Sequence, residues 1–138
     1  LAAGGEAVGV IPQHLMDREL GHQHLTELHV VDSMHTRKNM MFELSDGFVT
    51  LPGGLGTLDE TFEIITWRQL GLHDKPIVVL DAQDYWAPFA ALVDNVVDKG
   101  FASVASKRLF KLAKSPEEAI RALELAPAPR VAEDPSKL

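Results

Sequence analysis

Residues 51–60 of the chain read LPGGLGTLDE, and this stretch decides how the rest is interpreted. An apolar run over residues 48–51 leads into it, and a pattern typical of a helix follows over residues 58–70. A strand, a glycine-rich turn and a helix N-terminus therefore follow one another directly. Glycines allow the backbone positive φ angles and bring its N–H groups close to a ligand. Because the first turn of a helix also has unpaired N–H donors, the stretch predicts a phosphate site.

A purely structural interpretation of the same residues stays open. Glycine also suits a tight strand-to-helix turn that binds nothing. Thr57 and Glu60 fit a capping box, in which Glu60 only reaches back to a backbone N–H. The turn is not a Walker A loop, since no Gly-Lys-Ser/Thr follows, and it is not the dinucleotide-binding G-x-G-x-x-G pattern.

A second group of candidate residues lies on a helix predicted over residues 34–44, with Asp32 or Ser33 as its N-cap. One face of this helix is expected to point inward, and it carries Met34, Arg37, Met41 and Leu44. A charge among apolar residues rarely stays unpaired, so Arg37 is expected to meet a carboxylate or a ligand phosphate. A structural ion pair or a side chain that snorkels to water are the alternatives. Lys38 points to the same rim or into water.

These two stretches resemble the signature of the LOG-type proteins, the cytokinin riboside 5′-monophosphate phosphoribohydrolases, many of which were labelled lysine decarboxylase-like. The P-G-G-x-G-T-x-x-E block stands at residues 52–60, and M-H-x-R-K-x-x-M stands at residues 34–41. Residues 63–76 are similar to the family's following helix and its exit turn. The resemblance runs from about Val8 to Leu123, and its two motifs occur in the family's order.

The resemblance implies hydrolysis of the N-glycosidic bond of an N6-modified AMP, which releases the free base and ribose 5-phosphate. It implies catalytic roles for Arg37 and Glu60. The substrate-binding residues that it implies are Glu19, Arg37, Lys38, Gly53, Gly54, Leu55, Gly56, Thr57, Glu60 and Thr66. Glu19 is among them because it lies 18 residues before Arg37, as a substrate-contacting glutamate does in the family. Thr66 reaches a ligand from a neighbouring subunit, or bonds back to its own helix.

The role of Glu60 within that reaction stays open. A helix N-terminus favours its carboxylate form, whereas a nearby phosphate favours its protonated form. It therefore acts as a base, as an acid or as an electrostatic stabiliser of the sugar.

Alternating strands and helices predict an α/β fold: a Rossmann-like parallel sheet with helices on both faces. The predicted strands cover residues 7–11, 27–31, 46–51, 77–81 and 109–112. Residues 1–125 are expected to form a single nucleotide-binding domain, and residues 126–138 a disordered tail rich in alanine, proline and charge. The resemblance places a strand, a glycine-rich loop and a helix ahead of Leu1, so the N-terminal part of the domain is expected to be missing.

Composition limits the partners. The 138 residues carry a net charge of −7 without a basic stripe, which argues against a nucleic-acid polymer but not against a small anion in a local pocket. No apolar run approaches the roughly 20 residues that a membrane span needs, so no membrane partner is expected. The chain has no cysteine, which permits the cytoplasmic location expected here. The helix at residues 57–70 is apolar over two turns, which predicts a homodimer.

Neither a metal nor a cofactor is expected. The six histidines are scattered, and only His22 and His24 form a close pair, without further ligands nearby. A pyridoxal-phosphate decarboxylase would need a Schiff-base lysine, and Lys38 and Lys75 are the only well-placed candidates. A non-catalytic nucleotide-binding or carrier module of the same fold is the main alternative to hydrolysis. Hydrolysis of plain AMP is a variant of the main hypothesis.

Overall fold

The structure is a computed structural model that describes residues 1–16 and 24–128. Its strands are β1 (Val8–Pro12), β2 (Glu27–Val31), β3 (Phe48–Thr50), β4 (Ile77–Leu80) and β5 (Lys111–Ala113). Its α-helices are α1 (Gln13–Met16), α2 (Met34–Glu43), α3 (Leu55–Gln69), α4 (Ala87–Asp98) and α5 (Pro116–Glu124). Among the described residues, no helix combines the length and the apolarity that crossing a bilayer requires.

Glycines and one serine set the helix ends, as the sequence predicts. Gly71 has a φ of +73° after α3, and Gly100 has a φ of +80° after α4. The N–H of Gly71 donates to the carbonyl of Arg68, which closes the last turn of α3 in a left-handed cap. Ser115 caps α5 by accepting a hydrogen bond from the N–H of Glu118 at 3.2 Å. These signals are local, which is why they can be read without the fold.

The described residues fall into two compact units, the first within Leu1–Ser45 and the second within Asp46–Leu138. In the first unit β1 and β2 run parallel, with Val10 opposite His29. In the second unit three parallel strands lie in the order β3-β4-β5. Backbone hydrogen bonds thus form two parallel sheets among the described residues, where a single sheet was expected. The prediction of one domain over residues 1–125 stays a prediction.

The central strand β4 shows why the second unit has helices on both faces. All four of its residues are buried, and successive side chains of a strand point to opposite faces. Ile77 and Val79 pack into one cluster with side chains of α3 and α4, including Ile65 and Phe89. On the other face Val78 and Leu80 pack with Ala113 of β5 and with Ala119, Ala122 and Leu123 of α5. The predicted α/β class, with parallel strands between helices, is confirmed.

The connection from α3 to β4 is held by a buried histidine. His73 is 1% exposed, its Nδ1 accepts a hydrogen bond from the N–H of Lys75 at 3.1 Å, and its Nε2 lies 2.8 Å from the carbonyl oxygen of Ile64. Because Nδ1 accepts, Nε2 carries the proton and donates to that carbonyl. The imidazole is therefore a structural group that fixes the loop.

Candidate active site

The glycine turn, residues 53–57, follows β3 directly, but the helix begins earlier than the sequence predicts. α3 starts at Leu55, with Gly54 as its N-cap and no side-chain hydrogen bond at the cap. Thr57 is the third residue of the helix and not its cap, so the predicted capping box with Glu60 is wrong. Glycine competes with Thr57 as an N-cap because it adopts the extended cap geometry without a side chain.

The glycines of this turn do not adopt the positive φ angles that the sequence predicts. Gly54 has a φ of −98°, and the described glycines with positive φ lie elsewhere in the chain. Gly53 has a packing reason, since an added Cβ would lie 2.9 Å from the Cβ of Thr57. At Gly54 and Gly56 neither a positive φ nor close packing requires glycine, because no described residue lies within 4 Å of an added Cβ at either position.

Gly54 and Gly56 therefore leave open space beside the backbone. Both are exposed, and Leu55 between them is 85% exposed. No side-chain hydrogen bond caps the start of α3, and the first N–H groups of a helix have no acceptor within the helix itself. This arrangement permits a ligand to approach the backbone closely, and the positive end of the helix favours an anion.

Two threonines hold the base of the turn and were not predicted as functional. Thr61 is 3% exposed, and its hydroxyl donates to the carbonyl of Thr57 at 2.6 Å. The hydroxyl oxygens of Thr61 and Thr50 lie 3.0 Å apart. The last residue of β3 is thereby bonded to the helix that follows the turn, which fixes the distance across it.

Glu60 and Thr66 lie further along α3. The first turn of the helix contains no acidic residue, and Glu60 is half-buried in the second turn. The helix dipole acts mainly on the first turn, so its effect on Glu60 is smaller than a helix starting at Thr57 would give. Thr66 is exposed, and its hydroxyl makes no hydrogen bond within the part of the chain that the structure describes.

An apolar cleft adjoins the glycine turn. It has a volume of about 500 Å³, and it lies between the start of α3 and the start of α4. Its walls are made by Gly53, Gly54, Leu55, Leu58, Phe62, Tyr85, Trp86, Pro88, Phe89 and Leu92. A molecule whose anionic end binds the turn finds an apolar surface directly beside it.

Arg37 and Lys38 lie on α2 in the other unit. Ser33 caps this helix, as predicted, by accepting from the N–H of Thr36 at 3.1 Å. Nε of Arg37 donates to the carbonyl of Val10 in β1 at 3.1 Å. The side chain is therefore held against the first strand, and its predicted proximity to Glu60 stays a prediction.

The expected inward face of α2 is wrong. Met34, Met41 and Leu44 are 37%, 38% and 59% exposed, whereas Phe42 is 1% exposed. Phe42 is the largest apolar side chain of the helix, and its burial turns the methionine-bearing face outward. Glu19, the remaining predicted site residue, lies outside the described residues.

Three further residues at the same sheet edge as the glycine turn were missed by sequence reasoning. Parallel strands end at one edge, where Asp81 follows β4 and Lys114 follows β5. Asp81 is 1% exposed, and its two oxygens accept from the N–H of Trp86 and from Nζ of Lys114, both at 2.6 Å. Lys114 also donates to Asp84 at 2.7 Å. A charged residue directly after a strand is the signal that points to Asp81 and to Lys114.

These contacts stabilise the charged forms of both partners. The hydrogen bond from Lys114 lowers the pKa of Asp81 below its ordinary value of 3.8, although burial opposes the shift. The hydrogen bonds to Asp81 and then to Asp84 raise the pKa of Lys114 above its ordinary value of 10.5. The ion pair is therefore fully charged at neutral pH.

The third missed residue is Tyr85. Its hydroxyl donates to the carbonyl of Gly53 at 2.6 Å, which links the turn after β4 to the glycine turn after β3. Its ring also meets that of Trp86 edge-on, with centroids 4.9 Å apart. Within residues 1–16 and 24–128, no group of three or more histidine, aspartate and glutamate side chains is placed to hold a metal ion.

Comparison with known proteins adds a family to this geometry. Residues 1–123 match the family model described as possible lysine decarboxylase. The cytokinin riboside 5′-monophosphate phosphoribohydrolase of Rhodococcoides fascians is 44% identical over 124 residues, which cover 89% of this chain and 63% of that protein.

Two plant proteins give a similar result. The probable cytokinin riboside 5′-monophosphate phosphoribohydrolase LOGL2 of Oryza sativa subsp. japonica is 42% identical, with 88% of this chain and 50% of that protein covered. The cytokinin riboside 5′-monophosphate phosphoribohydrolase LOG1 of Arabidopsis thaliana is 41% identical, with 88% and 57% covered. The chain thus spans 50 to 63% of the length of these relatives. The glycine turn, the arginine-bearing helix and the match over residues 1–123 together show that the chain belongs to the LOG-type family, whose family model is described as possible lysine decarboxylase.

Proposed function

We propose that this protein hydrolyses the N-glycosidic bond of an N6-modified adenosine 5′-monophosphate, releasing the free base and ribose 5-phosphate. The observation that carries the proposal is the pair Gly54 and Gly56. Both are exposed at the start of α3, where no side chain caps the helix. The fold has room for a side chain at both positions and forces neither into a positive φ. Space beside the backbone N–H groups is what a bound phosphate requires.

The relatives support the nature of the substrate. The proteins of Rhodococcoides fascians and Arabidopsis thaliana are named for cytokinin riboside 5′-monophosphate. A nucleotide bound by its phosphate at residues 53–57 lies beside the apolar cleft, which suits a base with an apolar substituent. Plain AMP lacks that substituent and serves as the comparison substrate.

The chemistry assigns distinct roles to the site residues. The N–H groups of residues 53–57 and the Thr57 hydroxyl bind the 5′-phosphate. As the bond between C1′ and the base nitrogen breaks, positive charge develops on the ribose, and Glu60 stabilises it. The oxygen of a water molecule bonds to C1′, and the base leaves with a proton. In this proposal Glu60 also serves as the base that activates that water.

The remaining predicted residues act on the substrate around this centre. Arg37 orients Glu60 and binds the ribose or the phosphate, and Lys38 assists it. Glu19 and Thr66 supply further substrate contacts, with Thr66 acting across a subunit boundary. The reaction is a hydrolysis, so its chemistry requires no redox cofactor.

A homodimer in the cytoplasm belongs to the same proposal. Leu55 and Leu70, at the two ends of α3, are 85% and 68% exposed. Apolar side chains on the helix that carries Glu60 and Thr66 suit a surface covered by a second copy. Light scattering measures the assembly directly, and a monomer at micromolar concentration contradicts this part of the proposal.

The test of the function is Glu60→Gln, assayed with N6-isopentenyl-AMP and with AMP. Release of free base, followed by chromatography, is expected to fall by about 10² to 10⁴-fold, because the variant keeps the shape of the side chain but loses its charge. Binding of AMP, measured by calorimetry, is expected to change little.

The matched control is Glu117→Gln. Glu117 is an exposed glutamate in the first turn of α5, and the same chemical change there is expected to leave turnover intact. Full turnover by Glu60→Gln removes Glu60 from the mechanism. A wild-type protein that binds AMP without releasing base favours the non-catalytic alternative.

A further inference from the structure

We propose that Tyr85 is a positioning residue of the phosphate site, because its hydroxyl sets the orientation of the Gly53–Gly54 peptide. This inference rests on the proposed function, in which the glycine turn binds the 5′-phosphate. It adds a residue outside the sequence motif, since Tyr85 follows β4 and not β3.

The geometry of one peptide unit carries the inference. The Tyr85 hydroxyl donates to the carbonyl oxygen of Gly53 at 2.6 Å. In a trans peptide the C=O and the following N–H point in opposite directions. Fixing the Gly53 carbonyl therefore fixes the N–H of Gly54, the N-cap of α3. Within the described part of the chain this N–H has no acceptor, which leaves it for a ligand.

The Gly53–Gly54 peptide needs a hydrogen bond to fix its orientation, because glycine lies on both sides of it. Glycine loses more conformational freedom on ordering than any other residue, and a peptide between two glycines rotates readily. An unbraced peptide would have to be ordered when the phosphate binds, at the expense of affinity. The hydroxyl of Tyr85 orders it beforehand.

The segment that carries Tyr85 is itself held in place by hydrogen bonds and an ion pair. Asp81 is buried and accepts from the N–H of Trp86 at 2.6 Å, while Lys114 bridges Asp81 and Asp84. Gln83 lies between them with a φ of 54° and Asp84 has a φ of 58°, conformations that L-residues rarely adopt. These contacts hold the segment on which Tyr85 stands, so its hydroxyl stays opposite Gly53.

The decisive variant is Tyr85→Phe, which removes only the hydroxyl. Affinities of the wild type and of the variant for AMP and for adenosine are measured by isothermal titration calorimetry. Loss of one hydrogen bond that orders a phosphate ligand is expected to weaken AMP binding about three- to tenfold. Adenosine has no phosphate, and its affinity is expected to stay the same.

A double-mutant cycle tests whether Lys114 affects AMP binding through Tyr85. Lys114→Met is expected to weaken AMP binding in the wild-type background and to add little in the Tyr85→Phe background, because both act on one peptide. Lys107→Met is the matched control. Lys107 also forms a surface ion pair, at 2.7 Å with Asp94, but it has no contact with the turn, and its loss is expected to leave both affinities unchanged.

The possible outcomes separate the role of Tyr85 from the proposed hydrolysis. Equal AMP affinity of Tyr85→Phe and wild type, or an equal loss for AMP and adenosine, overturns the role of Tyr85. Selective loss for AMP in a protein that releases no free base supports that role and overturns hydrolysis. A wild-type protein that does not bind AMP overturns both.

Discussion

Two turns leave the same edge of the second unit's sheet, and they differ in how their glycine content relates to their backbone φ angles. The glycine turn after β3 has ordinary φ angles, although glycines occupy three of its five positions. The acidic turn, residues 81–85 after β4, contains no glycine, yet Gln83 and Asp84 take left-handed conformations with φ of 54° and 58°. Glycine is absent where the backbone would favour it and present where the backbone does not require it.

The contrast separates two reasons for a residue at a turn. In the glycine turn the missing side chains leave space, and at Gly54 and Gly56 none of the described residues fills that space. In the acidic turn the side chains supply contacts, since Asp81 and Asp84 bind Lys114 and Tyr85 binds Gly53. The energetic cost of two left-handed residues persists because those contacts offset it. One turn leaves space beside its backbone, and the other makes contacts that hold its neighbour.

The largest expected effect separates two glycines of the same turn. Gly53→Ala places a Cβ 2.9 Å from the Cβ of Thr57, which no rotation of the Thr57 side chain relieves. We expect unfolding free energy to fall by about 1–3 kcal/mol, measured by urea denaturation.

Gly56→Ala is the matched substitution, and its effects on stability and function are expected to differ in sign. The added Cβ meets no atom of residues 1–16 or 24–128 within 4 Å, and alanine favours a helix over glycine, so stability is expected to rise by up to about 1 kcal/mol. AMP binding is expected to weaken, because the Cβ occupies the space beside the N–H groups. Unchanged AMP affinity in this variant contradicts a ligand at the turn.

The next prediction concerns how the stability of the fold depends on pH through Asp81 in the acidic turn. The lowered pKa of Asp81 means that its ionised form stabilises the fold above about pH 3.8, and this stability is lost as the pH falls through the folded-state pKa. Lys114→Met removes the main cause of the shift, so the variant is expected to be less stable than the wild type at neutral pH and to lose less stability as the pH falls, which narrows the difference between the two proteins in acid. Thermal unfolding followed by circular dichroism between about pH 6 and pH 3 measures it. Lys107→Met is expected to follow the wild-type curve, and identical curves for all three proteins contradict the prediction.

The smallest expected effect is on unfolding free energy, from placing a glycine in the acidic turn. Gln83 is exposed and has a φ of 54°, so Gln83→Gly relieves the left-handed conformation without removing a contact of Asp81 or Lys114. We expect a gain of roughly 0.5–1 kcal/mol in unfolding free energy, reduced by the greater freedom of glycine in the unfolded chain. A loss of stability in urea denaturation indicates that Gln83 makes a contribution that its backbone conformation does not explain.

Local chemistry made much of this fold predictable. Apolar runs predicted β1, β2 and β4, and Gly71, Gly100 and Ser115 predicted where helices end or begin. The family resemblance, confirmed by the match over residues 1–123, identified the glycine turn and the helix with Arg37. Each of these signals is contained in a few consecutive residues, which is why the sequence alone carries them.

The rest depended on contacts between distant residues. β5 was predicted over residues 109–112 but spans Lys111–Ala113, so Lys114 was not recognised as the residue that follows a strand. Asp81 was assigned to the end of β4, and nothing local indicated that Lys114 lies against it. The face of α2 depended on the burial of Phe42, which helical spacing did not distinguish from that of Met34 or Met41.

The hydrogen bond from Tyr85 to Gly53 bears on how related genes are sorted by function. Searches that score only the P-G-G-x-G-T-x-x-E signature compare one short window, whereas the group that orients its Gly53–Gly54 peptide is encoded 32 residues after Gly53. A gene that keeps the signature but replaces that tyrosine with a residue lacking a hydroxyl is expected to encode a weaker nucleotide binder. Pairing the two positions in one search pattern would separate such genes from those that retain the full site.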